Sequence, residues 1–356
     1  MGKKKSTITE PLPLQRIKQI RKINTGFGDI FDVIDRCRDK LIEANMSWDS
    51  SCYLPLTAYV ELSTRFGFHT NGINVEDLFH LAAWRRYSQI YSFDPTLIEE
   101  LTESDCDDVV IESLRNLPYD SFYVDIHDYS DSCEGFFCAR NVQILDNGRN
   151  VSAENTEFLN SLHIMFIMKN GNTLGFPISM TPGLTIKESR DNYSKLFREA
   201  VFSQKVKHDE AESYVEEVNH QVEMHLNTAV QILLYLCAIN KDVVENPEQK
   251  PIYKKSSVQK DRLSSIQKWD VGYRIGNIIR NSKKPETADT ESSDSVPKSI
   301  KASRKRPHAR RAHFHHYWIG KRDTSDRKLI VKWVAPMFIN SKIDEELPAV
   351  ITKVEK

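Results

Sequence analysis

Asn170-Gly171 is the stretch that most restricts what this chain can fold into. It sits between two apolar runs, 159–168 and 173–179, within Lys169-Asn170-Gly171-Asn172. Asn-Gly accepts the positive φ of a tight hairpin turn, so the two runs must lie side by side and antiparallel. Phe122–Ile126 and Phe136–Leu145 read as two further strands, the second ending at Asp146-Asn147-Gly148. Four strands in succession predict a central antiparallel sheet.

The flanking sequence is helical by period. Leu14, Ile17, Ile20 and Ile23 recur among Arg16, Lys18, Arg21 and Lys22, a basic amphipathic helix. Ile30, Phe31, Ile34 and Leu41 mark a second helix. Leu54–Leu62 is a short apolar stretch. Asn74 is a candidate N-cap for a helix carrying Leu78, Phe79, Leu81, Ala82 and Ile90, with Trp84, Arg85 and Arg86 inside it. Asp94-Pro95 opens the next helix, with Leu97, Ile98 and Leu101 inward. Beyond the strands, Thr185–Phe202 and Asp209–Ile239 read as helices; the second turns apolar on most sides and should enter the core. Trp269–Ile279 also reads as helical, with Gly272 and Gly276 allowing close packing or a bend.

The expected class is α+β: a helical N-terminal unit, a central antiparallel sheet with packed helices, and a basic C-terminal β-hairpin after a flexible linker. The expected boundaries are 1–13 (disordered basic tail), 14–115 (helical unit), 116–280 (α+β body), 281–303 (charged linker), 304–341 (hairpin) and 342–356 (tail).

That hairpin concentrates the cationic character of a chain whose net charge is −1. Lys298, Lys301, Arg304, Lys305, Arg306, Arg310 and Arg311 run without an acidic residue, and His308, His313, His315 and His316 are interleaved with Phe314, Tyr317 and Trp318. As strand, 311–318 puts Ala312, Phe314, His316 and Trp318 on one face and Arg311, His313, His315 and Tyr317 on the other. After a connection from Gly320 to Arg327, Leu329, Val331 and Trp333 alternate with Lys328, Ile330 and Lys332, and Pro336 ends the run.

Four chemistries fit the cluster. It can be a structural hairpin, or a surface for RNA or an acidic peptide, using Arg304, Lys305, Arg306, His308, Arg310, Arg311, His313, His315, Tyr317, Trp318 and Lys332. Arginine pairs with phosphate, and exposed aromatics stack on bases. It can be a metal-independent ribonuclease, with His313, His315 and Arg311 as candidate catalytic groups; strand neighbours at i and i+2 lie about 6.5–7 Å apart, a span suited to flanking a phosphate. Metal binding through His308, His313 and His315 lacks a fixed further ligand. We expect neither metal nor cofactor. The six cysteines are scattered and suggest reduced thiols. The first twenty residues lack an apolar leader core, and no run approaches the ~20 residues of a bilayer span, so a cytoplasmic protein without a membrane partner is expected.

The residues Arg306-Pro307-His308, Arg310-Arg311, His313, His315, Tyr317-Trp318, Gly320, Val331-Lys332-Trp333 and Phe338-Ile339-Asn340-Ser341 together resemble the C-terminal signature of a type V-A anti-CRISPR family. Ala83-Trp84-Arg85, Ile90-Tyr91, Asn116-Leu117-Pro118, Tyr123-Val124-Asp125-Ile126 and Leu233–Cys237 agree in order and spacing. The resemblance implies suppression of CRISPR effector nuclease expression: recognition of the nascent N-terminal peptide of the effector, then loss of its messenger RNA. The implied partners are that peptide, RNA or the ribosome, and a host nuclease it would recruit. The longer basic N-terminus and the charged linker depart from the family pattern.

Overall fold

The computed structural model describes residues 10–23, 28–46, 48–67, 72–142, 160–203, 208–246, 266–282, 308–321 and 327–339. Residues 1–9 of the expected N-terminal tail, the expected C-terminal tail, most of the charged linker and the Asp146-Asn147-Gly148 turn lie outside them, whereas Leu12 and Pro13, expected in the tail, begin the first helix. Four helices come first: α1 (Leu12–Ile23), α2 (Ile30–Glu43), α3 (Leu56–Phe66) and α4 (Val75–Trp84). Strand β1 (Gln89–Phe93) and helix α5 (Pro95–Thr102) precede a 3-10 segment at Ile111–Asn116. Then come β2 (Ser121–Asp125), β3 (Cys133–Val142), β4 (Asn160–Met168) and β5 (Thr173–Ser179). Helices α6 (Ile186–Phe202), α7 (His208–Gln221) and α8 (Asn227–Cys237) follow, the last two joined by a π-helical turn at Val222–Leu226. The remaining elements are β6 (Val243–Glu245), β7 (Gln267–Val271), α9 (Tyr273–Ser282), β8 (His308–Arg310), β9 (His313–Ile319), β10 (Lys328–Val334) and β11 (Met337–Ile339).

The first seven strands form one sheet in the order β5-β4-β3-β2-β1-β7-β6. The α+β class therefore holds. The ladder from β2 to β5 is antiparallel, as the Asn-Gly turn requires. Gly171 supplies the turn with φ 89°. The sheet extends further than expected, because β1 adds parallel to β2 and β7 adds parallel to β1. Ile90 thus belongs to a strand and not to the helix before it. All five β1 residues are buried, so the strand shows no alternation that periodicity could detect. The helix expected over Trp269–Ile279 likewise divides: Trp269–Val271 is strand, and Gly272 turns the chain into α9. The Leu54–Leu62 stretch becomes helix α3.

Alternation along the strands sorts side chains into two cores. Phe122, Val124, Phe136, Cys138, Ile164 and Phe166 face a core shared with α5, α8 and the C-terminal strands. Tyr123, Phe137, Ala139, Met165 and Ile167 face α1–α4. On that side α1 buries Leu14, Ile17 and Ile20, and its cations meet carboxylates: Arg16 with Asp77 at 2.7 Å, Arg21 with Asp29 at 2.7 Å, and Lys18 with Glu10. The local start signals are met. Asn74 accepts from Glu76 N at 2.9 Å, and Asp94 accepts from Thr96 N at 3.0 Å and Leu97 N at 3.3 Å.

Asp94 also binds Arg280 of α9 at 2.8 Å. It can do so because α9 approaches through glycine: a Cβ at Gly272 would overlap Leu97, and one at Gly276 would overlap Asp94 Oδ1. Alanine normally improves a helix by about 1 kcal/mol over glycine. Here Gly276→Ala must displace a capping carboxylate, and overpacking costs about 1–3 kcal/mol. We expect a net loss of stability, read as a lower urea midpoint with unchanged slope.

A second expectation follows from two core histidines. His80 and His163 share a hydrogen bond of 2.9 Å, and His80 Nδ1 is buried without a partner. Burial lowers the His163 pKa to about 4; burial, then the charge of His163, lowers that of His80 well below the usual value. Both are neutral in the fold. Their contribution is intact above the unfolded value of 6.5 and is lost as pH falls from there towards 4, at up to about 1.4 kcal/mol per pH unit for each proton taken up on unfolding. Urea midpoints of the native protein and of His80→Leu/His163→Leu should diverge in their pH dependence between pH 7 and 5. Parallel curves would refute this.

Candidate functional site

Helix α8 is buried along Thr228–Cys237, so its end has no solvent to satisfy the chain that leaves it. The C-terminal strands meet that need. Ala238 pairs with Val331 of β10, Ile239 N donates to Val331 O at 3.0 Å, and Asn240 clamps Trp333. The Asn240 Nδ2 donates to Trp333 O at 2.7 Å, and Trp333 N donates to Asn240 Oδ1 at 3.1 Å. The Trp333 indole is fully buried edge-on against Tyr235, 5.4 Å between centroids, and its N–H donates to Ser104 Oγ at 3.3 Å. On the other edge, β9 forms a parallel bridge from His313 to Asp105. Strands β8 and β11 pair as a separate ladder, Arg310 opposite Met337 and His308 opposite Ile339.

The hairpin sorts its faces as alternation predicts. Ala312, Phe314, Leu329, Val331 and Trp333 are buried, while Arg311, His315, Tyr317, Lys328 and Lys332 are exposed. His315 stands directly opposite Lys332, and Tyr317 opposite Ile330. Trp318 lies opposite Leu329 on the packing face, yet it overhangs the body and is 47% exposed, with the Arg327 guanidinium 5.0 Å from its ring centre. Two aromatic surfaces therefore reach solvent beside the cations. Among the described residues, no carboxylate pairs with Arg311, His313, His315, Lys328 or Lys332. Arg304, Lys305 and Arg306 lie outside the described residues, and for His308 and Arg310 only the backbone is described.

His313 and His315 do not flank a gap. Their Nε2 atoms are 3.0 Å apart and their rings 4.7 Å, so they share one hydrogen bond, and a phosphate would have to part them. No group of three or more potential metal ligands occurs among the described residues.

A second feature was not legible in the sequence. On the face opposite the hairpin, a cleft of about 660 Å3 opens where β1, β2 and β7 end. Ile90, Ser92 and Tyr123 floor it, and Asp125, His127, Asp128, Glu134, Lys268 and Asp270 stand around it. His127 lies 2.6 Å from Asp125 and 3.0 Å from Asp128. Partial burial alone would lower its pKa; the Asp125 hydrogen bond and the charges of Asp125, Asp128 and Glu134 outweigh that and raise it. Tyr123–Ile126 was visible as a strand, but its cleft partners come from distant segments.

Comparison with known proteins places this geometry in a family. The profile of the AcrVA2-like family, anti-CRISPR type V subtype A2, matches residues 91–341 and so takes in the end of β1 and all of β2–β11. The chain belongs to that family. Its fold is similar to the crystal structure of AcrVA2, with TM-score 0.54 and 17% identity over 91% of this chain and 98% of that one. It is also similar to protein FinQ of Escherichia coli, 28% identical over 141 residues, or 37% of each chain. The match thus spans little over a third of FinQ.

Asn240→Ala removes both hydrogen bonds to the Trp333 backbone and leaves buried groups unpaired, at about 1–3 kcal/mol. We expect faster protease cleavage within 308–339, with the sheet retained by far-ultraviolet circular dichroism.

Proposed function

We propose that this AcrVA2-like protein suppresses a type V-A CRISPR effector by recognising the nascent N-terminal peptide of that nuclease and causing loss of its messenger RNA, with cleavage left to a recruited host nuclease. The observation that supports it best is the family match across residues 91–341, which includes the hairpin. The hairpin suits the RNA side of the task. Arg311, Lys328 and Lys332 offer exposed cations, and Tyr317 and Trp318 offer exposed rings; aromatic stacking on a base contributes about 1–3 kcal/mol. On this reading the RNA or ribosome meets Arg304, Lys305, Arg306, His308, Arg310, Arg311, His313, His315, Tyr317, Trp318 and Lys332. Recruitment is favoured over self-cleavage because the two histidines occupy each other. No helix among the described residues is long and apolar enough to cross a membrane.

The test is a reporter preceded by the first codons of a type V-A effector, expressed with and without this protein. Synonymous recoding should leave the fall in reporter messenger RNA intact, and changing the encoded residues should abolish it. A fall that follows nucleotide sequence would overturn the reading.

A further inference from the structure

Among the described residues, the cleft on the face opposite the hairpin is open for a structural reason. Strands β1, β2 and β7 run parallel, so their carboxyl ends open in the same direction. The chain leaving β1 and β7 turns to the hairpin side, where α5 and α9 pack. Among the described residues, helix α1 covers the other face only up to its start at Leu12. Ser92, Asp125 and Asp270, paired in register across the three strands, are left facing the opening.

Its volume of about 660 Å3 is within the usual ~300–1,000 Å3 of ligand sites. Its charge is one-sided. Glu10 is paired with Lys18, and the four remaining carboxylates (Asp125, Asp128, Glu134 and Asp270) face one lysine and one histidine, the histidine lying against Asp125 and Asp128. Lys268 stands 3.9 Å from Asp125, too far for a hydrogen bond, and Asp270 accepts from the neutral Asn246 amide at 2.7 Å. The lining also carries apolar surface from Pro11, Leu12 and the exposed Tyr273. A floor of sheet, a carboxylate rim and this apolar surface suit a side chain with a long aliphatic stem and a cationic head. Mobile anions are repelled here and drawn to the hairpin, so the two surfaces do not compete.

We propose that this cleft seats an extended peptide segment bearing lysine or arginine, with Asp125, Glu134 and Asp270 receiving the cationic groups and Tyr273 covering a stem. The proposal rests on the peptide half of the proposed function and names the chemistry and place of that recognition.

The test uses the full chain and a fluorescein-labelled dodecapeptide containing four lysine or arginine residues, with a glutamate-substituted control, read by fluorescence anisotropy. The basic peptide should bind and the acidic one should not. Glu134→Gln/Asp270→Asn should weaken binding about tenfold and reduce its salt dependence. Asn at 270 keeps an acceptor for Asn246, so the fold is retained. Arg311→Ala/Lys332→Ala should leave peptide binding unchanged. Equal affinity in the cleft variant, no binding of the basic peptide, or full displacement by millimolar magnesium would overturn the proposal. Failure of the wider reading looks different. If suppression follows encoded residues while the cleft variant suppresses as well as the native chain, the cleft alone is wrong. If recoding shows dependence on nucleotide sequence while the basic peptide still binds the cleft, the nascent-peptide reading alone is wrong.

Discussion

The two hydrogen bonds between Asn240 and the Trp333 backbone join the hairpin of β9 and β10 to the body of the protein. Helix α8 is too apolar to end in water, and β10 supplies both a ladder for Ala238–Asn240 and a buried indole beside Tyr235. That seat fixes which face of β9 and β10 is turned outward. Arg311, His315 and Lys332 are exposed because Phe314, Val331 and Trp333 are not. The chemistry of the hairpin is therefore a by-product of core packing.

How much of this the sequence disclosed depended on how local each signal was. Asn170-Gly171, Asn74 and Asp94-Pro95 act within four residues, and each is found where its chemistry places it. The hairpin was legible because one face is wet and one is dry. Strand β1 was hidden for the opposite reason: it is buried on both sides and follows a helix whose apolar pattern runs into it. Strands β6, β8 and β11 have three residues each, too few to show a period. The cleft could not be read at all, since Glu10, Ser92, Asp125, Glu134 and Asp270 come together only once β7 pairs with β1.

The sheet also partitions charge. A net charge of −1 hides a cationic surface on one side and an acidic one on the other. With low-dielectric core between them, each field acts mainly on its own side. Basic helix α1 adds little to either, because Arg16, Lys18 and Arg21 are paired.

Contacts between residues 238–240 and 331–333 span some ninety positions of chain. A ribosome making this protein must therefore extrude α8 well before the strand that covers it. In that interval the apolar end of the helix is open to whatever else is nearby, chaperones included. Hydrophobic closure of α8 waits for β10, so premature stops between the two would yield a sticky product and not a shorter working one.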